Sequence, residues 1–138
     1  MKLDKLIVVS GKPGIFKISS QSKAGIIVES LTDKKKFPIH AIQNVSSLND
    51  IAIYTDSTEI PLREVFKTIH KKEEGKRTID HKGSKVVLTD FFTGILPNYD
   101  TERVYPSNIK KIVQWYNILV DAEFDFNGLD KVSTEEEE

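Results

Sequence analysis

Ile60-Pro61-Leu62-Arg63-Glu64-Val65-Phe66-Lys67-Thr68-Ile69-His70-Lys71-Lys72 is the stretch on which the fold class turns. Leu62, Val65, Phe66 and Ile69 recur at i, i+3, i+4 and i+7, the spacing of one helical face, and Pro61 stands where a first helical position belongs. A helix over 61–72 is therefore predicted. Everything before it is patterned differently. Residues 6–10, 15–19, 25–31, 36–40 and 51–54 are short segments, mostly rich in Ile and Val, and the pieces between them are turn-forming. Phe16 and Ile18 share a face opposite Lys17, and Ile26 and Val28 lie opposite Ile27 and Glu29. In Gly11-Lys12-Pro13-Gly14, proline presets φ and Gly14 can take positive φ, which predicts a type II turn. Residues 20–24 are expected to form a loop of hairpin length, and 33–35 a turn. Five short strands with no room for crossover helices predict an antiparallel curled sheet or a small SH3-like barrel.

Beyond the first helix, 71–83 is charged, holds two glycines and has Ile79 as its only large aliphatic, so an exposed mobile connection is expected. Ser84 can cap a second helix carrying Leu88, Phe91, Phe92 and Ile95, weakened by Gly94 and ended by Pro97. Ser107 can cap a third, running to about Asp121. Ile109, Ile112, Val113, Tyr116 and Val120 form its stripe, which Trp115, Ile118 and Leu119 widen. So broad a band implies burial against more than one neighbour. The expected class is α+β: an SH3-like β-barrel unit over 1–58, a three-helix part over 59–126 packed on or beside it, and an acidic disordered tail over 127–138.

The chain has 138 residues, 38% hydrophobic and 30% charged, which suits one soluble globular domain or two small lobes sharing a core. It has no cysteine, which removes disulfides, thiolate metal sites and a cysteine nucleophile. The early apolar run spans only residues 6–9, too short for a secretory leader, and no run approaches the roughly 18 apolar residues of a membrane span. A cytoplasmic protein is expected. Charge is split: up to Val120 there are nineteen Lys and Arg against thirteen Asp and Glu, whereas Asp121 to Glu138 holds one Lys against eight acids. A mildly basic body with an acidic end suggests an interaction tail, or one that screens its own basic surface.

No chemical constellation stands out. His70 with Glu73 or Glu74 has helical spacing and His81 follows nearby, but there is no His-Glu-x-x-His, and no metal or cofactor is expected. Ser10-Gly11-Lys12-Pro13-Gly14 is glycine-rich after a strand but lacks the spacing, the Ser or Thr and the following helix of a phosphate loop. Asp100 and Glu102 with Tyr99 and Tyr105 lack a nucleophile, base and orienter at interpretable spacing; Asn98-Tyr99-Asp100 reads instead as a turn, with Tyr99 over the helices. The basic groups are Lys34, Lys35 and Lys36, then Lys71, Lys72, Lys76, Arg77 and Lys82, then Lys110 and Lys111. With Phe37 and Tyr54 as stacking rings, these form the expected partner or nucleic-acid surface.

Several segments together resemble a bacterial domain-of-unknown-function family, number 5606. They include Leu3-Asp4-Lys5-Leu6-Ile7, Ser10-Gly11-Lys12-Pro13-Gly14, Ile27-Val28-Glu29-Ser30-Leu31, Asp50-Ile51-Ala52-Ile53-Tyr54, Ile60-Pro61-Leu62-Arg63-Glu64-Val65-Phe66, Leu96-Pro97-Asn98-Tyr99-Asp100, and the run from Lys110 to Leu119. The resemblance implies a β-rich first part and a helical second part, and carries no activity. The functional expectation is a non-enzymatic macromolecular binding or adaptor protein, with another protein as partner. The alternatives are a nucleic-acid (RNA) associated protein with a self-screening tail, and an undetected enzyme.

Overall fold

Ile15 and Phe16 are neighbours in sequence and both are buried, at 0% and 4% exposure. In a strand, adjacent side chains point to opposite faces, so both faces of the sheet they belong to are covered. The computed structural model describes residues 5–9, 11–23, 25–40, 45–124 and 126. The expected acidic disordered tail, 127–138, lies outside the described residues.

Strand β2 (Lys12–Ser22) pairs with β1 (Leu6–Val9) on one side and β3 (Gly25–Ser30) on the other. β3 carries β4 (Lys36–Ile39) and β1 carries β5 (Val45–Ser47), giving an antiparallel five-stranded sheet of order β4-β3-β2-β1-β5. Among the described residues the pairing leaves β4 and β5 as edges, so the sheet is open rather than a closed barrel. Three expectations change here. The segment around Ile51–Tyr54 is not the sheet's fifth strand: β6 (Ala52–Tyr54) pairs with β7 (Glu59–Pro61) in a separate hairpin. The fifth place goes to β5, in one of the pieces read as turn-forming. The first turn also moves. Val9 pairs with Lys12, so the chain reverses between them, and Gly14 (φ +101) falls where the β1–β2 register shifts. Residues 20–22, expected in a loop, continue β2.

The helices are α1 (Leu62–Lys72), α2 (Lys85–Ile95) and α3 (Pro106–Asp121). Leu62, Val65, Phe66 and Ile69 are all buried, as their spacing predicts, but Pro61 ends β7 and precedes the first turn instead of occupying it. Ser84 caps α2, its hydroxyl oxygen accepting from the Val87 N–H at 3.3 Å. Ser107 does not cap α3. The cap is Tyr105, two residues earlier, so the helix begins at Pro106, and the Asn108 side chain accepts from the Tyr105 N–H at 2.8 Å.

One sheet face joins the helices in a shared core, in which Leu6, Ile15 and Leu31 meet Phe66, Phe92, Ile112, Tyr116 and Leu119. Each such fully buried large side chain contributes about 1.5–3 kcal/mol. The opposite face builds a second core from Ile7, Val9, Phe16, Ile26, Val28 and Ile39, with no helical residue in it. The segment between α1 and α2, expected to be exposed and mobile, is tied to α3. Thr78 N–H donates to Asn117 Oδ1 (2.8 Å), Asn117 Nδ2 donates to the Ile79 carbonyl (2.9 Å), and the Tyr116 hydroxyl donates to the Lys76 carbonyl (2.7 Å).

Candidate functional site

α3 can lie across the β1–β2 hairpin because its apolar band is wide: Ile109, Ile112, Val113, Tyr116 and Leu119 go fully into the core. Trp115 and Ile118, on the flank of that band, are only partly buried. The sheet approaches closely on this flank, since a Cβ built on Gly14 would lie 3.9 Å from Ile118 Cδ1. Just N-terminal along α3 the surfaces part into an open cleft of about 520 Å³. Gly11, Lys12 and Gly14 line its hairpin side, and Lys110, Lys111, Gln114 and Trp115 its helical side.

A second cleft of about 160 Å³ shares Lys111 and Trp115 with the first and continues toward Tyr54 and Arg103. The β6–β7 hairpin is brought here by its bonds to the α2–α3 connection: Asp100 N–H donates to the Tyr54 carbonyl (2.9 Å) and Asp56 N–H to the Asn98 carbonyl (3.0 Å). Arg103 lies over the Tyr54 ring, 5.1 Å from its centroid, with Nε 3.6 Å from Asp100 Oδ2. The two clefts adjoin at Lys111 and Trp115, and together they are termed the groove. Among the described residues its lining contains Lys12, Lys110, Lys111 and Arg103 and no carboxylate. The whole chain carries 21 acidic residues against 20 basic ones, so this lining is far from the average composition. Among the described residues Lys110 and Lys111 have no ion-pair partner, and Lys12 Nζ rests 4.8 Å from the centroid of Phe37.

The basic residues singled out in the sequence fall in separate places. Lys110 and Lys111 are in the groove. Lys34 and Arg77 meet in another cleft, of about 420 Å³, with His81 and Asp121, where Arg77 Nε lies 3.4 Å from Asp121 Oδ1. Lys35 and Lys36 are exposed beside the β3–β4 turn, and Phe37 packs edge-on against Phe16 at 5.3 Å. Lys71 and Lys72 end α1 in solvent, and Lys76 is exposed beyond it. Lys12, Arg103 and Gln114 were missed as site residues. The available signal was the glycine-flanked lysine at 11–14, set aside because it failed as a phosphate loop.

The other clusters resolve into local contacts. Tyr99 packs edge-on against Phe92 at 5.0 Å, and Asp100 accepts from the Glu102 N–H at 2.9 Å. The cleft beside Asp100 and Arg103 has no histidine in its lining. His70 stacks on Phe126 at 4.5 Å, Glu73 accepts from the Thr78 hydroxyl, and His81 Nδ1 lies 3.6 Å from Asp80 Oδ1. Asp80 is held below the usual carboxylate range, first by the Lys82 N–H that it accepts; slight burial opposes this, and the charges of His81, Lys82 and Arg77 add to it. Among the described residues no group of three or more His, Asp or Glu is placed to hold a metal ion, and no helix is long and apolar enough to cross a membrane.

The family model described as domain of unknown function DUF5606 matches residues 3–48, and that of DUF6852, likewise a domain of unknown function, matches 51–119. Their junction falls between the five-stranded sheet and the β6–β7 hairpin. A solution NMR structure from Bacteroides vulgatus, a Northeast Structural Genomics Consortium target, is 43% identical to this chain. The match covers 90% of this chain and 89% of that one, with a TM-score of 0.73. No curated protein matches. An α+β chain whose sheet carries the first match and whose helices carry the second belongs to the DUF5606 family, with a DUF6852 region completing its fold.

Proposed function

We propose that the protein is a non-enzymatic binding protein that holds an anionic macromolecule in the groove along α3. The lining around Trp115, free of carboxylates among the described residues, carries this reading: Lys110 and Lys111 supply charge at one end and Arg103 at the other. Ser46 and Ser107, hydroxyls of the larger cleft, share that lining with no histidine or acid among the described residues to activate them, which favours binding over catalysis. In this reading the N-terminal sheet serves as an SH3-like platform, curling over its own core with Val28 fully buried. A bacterial cytoplasm is the proposed setting. Val86 and Val87, 65% and 48% exposed on α2, favour an adaptor role toward another protein as the second reading.

Heparin-affinity chromatography tests the main reading. The wild type should be retained and elute with salt. Lys110→Glu with Lys111→Glu should elute markedly earlier, whereas Lys71→Glu with Lys72→Glu, outside the groove, should shift little. No retention, or equal shifts from both pairs, would remove the groove as the binding surface.

A further inference from the structure

We propose that the groove is a single-stranded nucleic-acid site in which Trp115 stacks on a base while Lys110 and Lys111 neutralise the adjoining phosphates, and Lys12 adds a third charge by leaving the Phe37 ring. This inference rests on the anionic-partner reading above and narrows it to one ligand chemistry.

A polyanion needs only charge, yet the groove is not merely charged. Its centre is an indole that forms a wall of both clefts, and its far end is Tyr54, 40% exposed, with the Arg103 guanidinium over its ring. Aromatic faces between cations are what a strand with unpaired bases requires: each base has a π-face to stack, and each linkage one charge to neutralise. The clefts also differ in size. The larger, about 520 Å³, is within the range of ligand sites, while the smaller, about 160 Å³, is below the roughly 300 Å³ at which independent sites begin. The smaller cleft therefore works as an annexe that takes one flat ring beside Trp115. A duplex hides its base faces and has nothing to place there.

The cations are suited to backbone contact rather than sequence reading. Lysine is a flexible point charge, and the one arginine already has the Asp100 carboxylate 3.6 Å away. Recognition should accordingly tolerate sequence, and affinity should fall with salt.

Trp115 is the only tryptophan in the chain, so its fluorescence reports the proposed contact directly. The full chain is titrated with short oligo(dT), with a hairpin duplex of equal length, and with inorganic polyphosphate, which carries the charge without bases. Oligo(dT) should bind and quench, and the other two should leave the emission unchanged. Trp115→Leu should weaken oligo(dT) binding about ten-fold or more, measured by anisotropy of a labelled strand. Because Trp115 also packs on the core, Lys110→Glu with Lys111→Glu, both exposed, is the second variant, with a loss of similar size and a shallower salt dependence. Polyphosphate binding without oligo(dT) quenching would overturn the nucleic-acid assignment and leave the anionic-partner reading standing. Failure of both to bind would remove both readings. Equal quenching by the duplex would overturn the single-strand assignment.

Discussion

Asn117 and Thr78 are 39 residues apart and joined by a hydrogen bond of 2.8 Å, from the Thr78 N–H to Asn117 Oδ1. The same side chain donates to the Ile79 carbonyl, so one amide fills a backbone donor and a backbone acceptor in a connection with little apolar surface. At 3% exposure the site offers little water as a substitute. Asn117→Leu keeps the branched side-chain shape and strands both backbone groups. It should cost about 3 kcal/mol, read as a lower urea midpoint at unchanged slope. An unchanged midpoint would mean that the connection does not depend on this pin.

Tyr116 makes stability pH-dependent in the alkaline range. Burial, helped by the Glu73 carboxylate, pushes its phenol from 10.0 to about 12. The folded state then binds the proton more tightly than the unfolded state. The contribution is fully present below about pH 10 and is lost as pH rises through about 12. The amount is on the order of 2 kcal/mol. Tyr116→Phe deletes the bond to the Lys76 carbonyl and should cost roughly 1 kcal/mol at neutral pH. Subtracting its denaturation profile from the wild type's between pH 9 and 12 isolates the phenol from the lysines that titrate there. A flat difference would refute the assignment.

Two glycines with positive φ separate steric need from conformational need. A Cβ on Gly25 (φ +145) would lie 2.3 Å from the Ile39 carbonyl oxygen, whereas one on Gly11 (φ +85) meets nothing within 4 Å. Gly25→Ala should therefore break the β3–β4 edge and cost roughly 3 kcal/mol or more, while Gly11→Ala should cost only the left-handed penalty of about 1 kcal/mol. Thermal melts of the two variants side by side check the ranking.

The helices were legible because their signals are local. The apolar spacing of α1 and the Ser84 hydroxyl before α2 lie within one or two turns of what they determine. The sheet was legible only in part, because pairing is decided elsewhere in the chain. Val45-Ser46-Ser47 has one apolar residue and no strand pattern, and it becomes β5 because β1 offers an open edge. Ile51 to Tyr54 looks like any other strand of the set, and only the docking of its hairpin on Asn98 and Asp100 removes it from the sheet.

The groove was less legible for the same reason. Lysines run together at Lys34–Lys36 and Lys71–Lys72, yet density in sequence is not proximity in space. Lys12 stands singly in a hairpin, far from Lys110 in the chain, and the two line one cleft only because α3 lies over that hairpin.

Phe126 sets where the acidic end can be cut. Its ring stacks on His70 at 4.5 Å, tilts against Tyr116 at 5.3 Å and meets Phe124 edge-on at 5.2 Å; both phenylalanines are 7% exposed. Ending the chain at Val120, which its charge boundary suggests, would strip both rings from the main core and remove Asp121 from Arg77. Deleting one buried phenylalanine ring costs about 3–5 kcal/mol, and two such losses approach the whole stability of a small domain, about 5–15 kcal/mol. A chain ending at Val120 should therefore unfold or melt far below the wild type, and Phe126→Ala alone should cost about 3 kcal/mol. A chain ending at Phe126 keeps both rings and should melt near the wild type, so it is the form in which loss of the acidic residues can be tested for tighter polyanion binding. Wild-type melting of the Val120 chain would show that these rings are not structural, and would undo this account of the C-terminal packing.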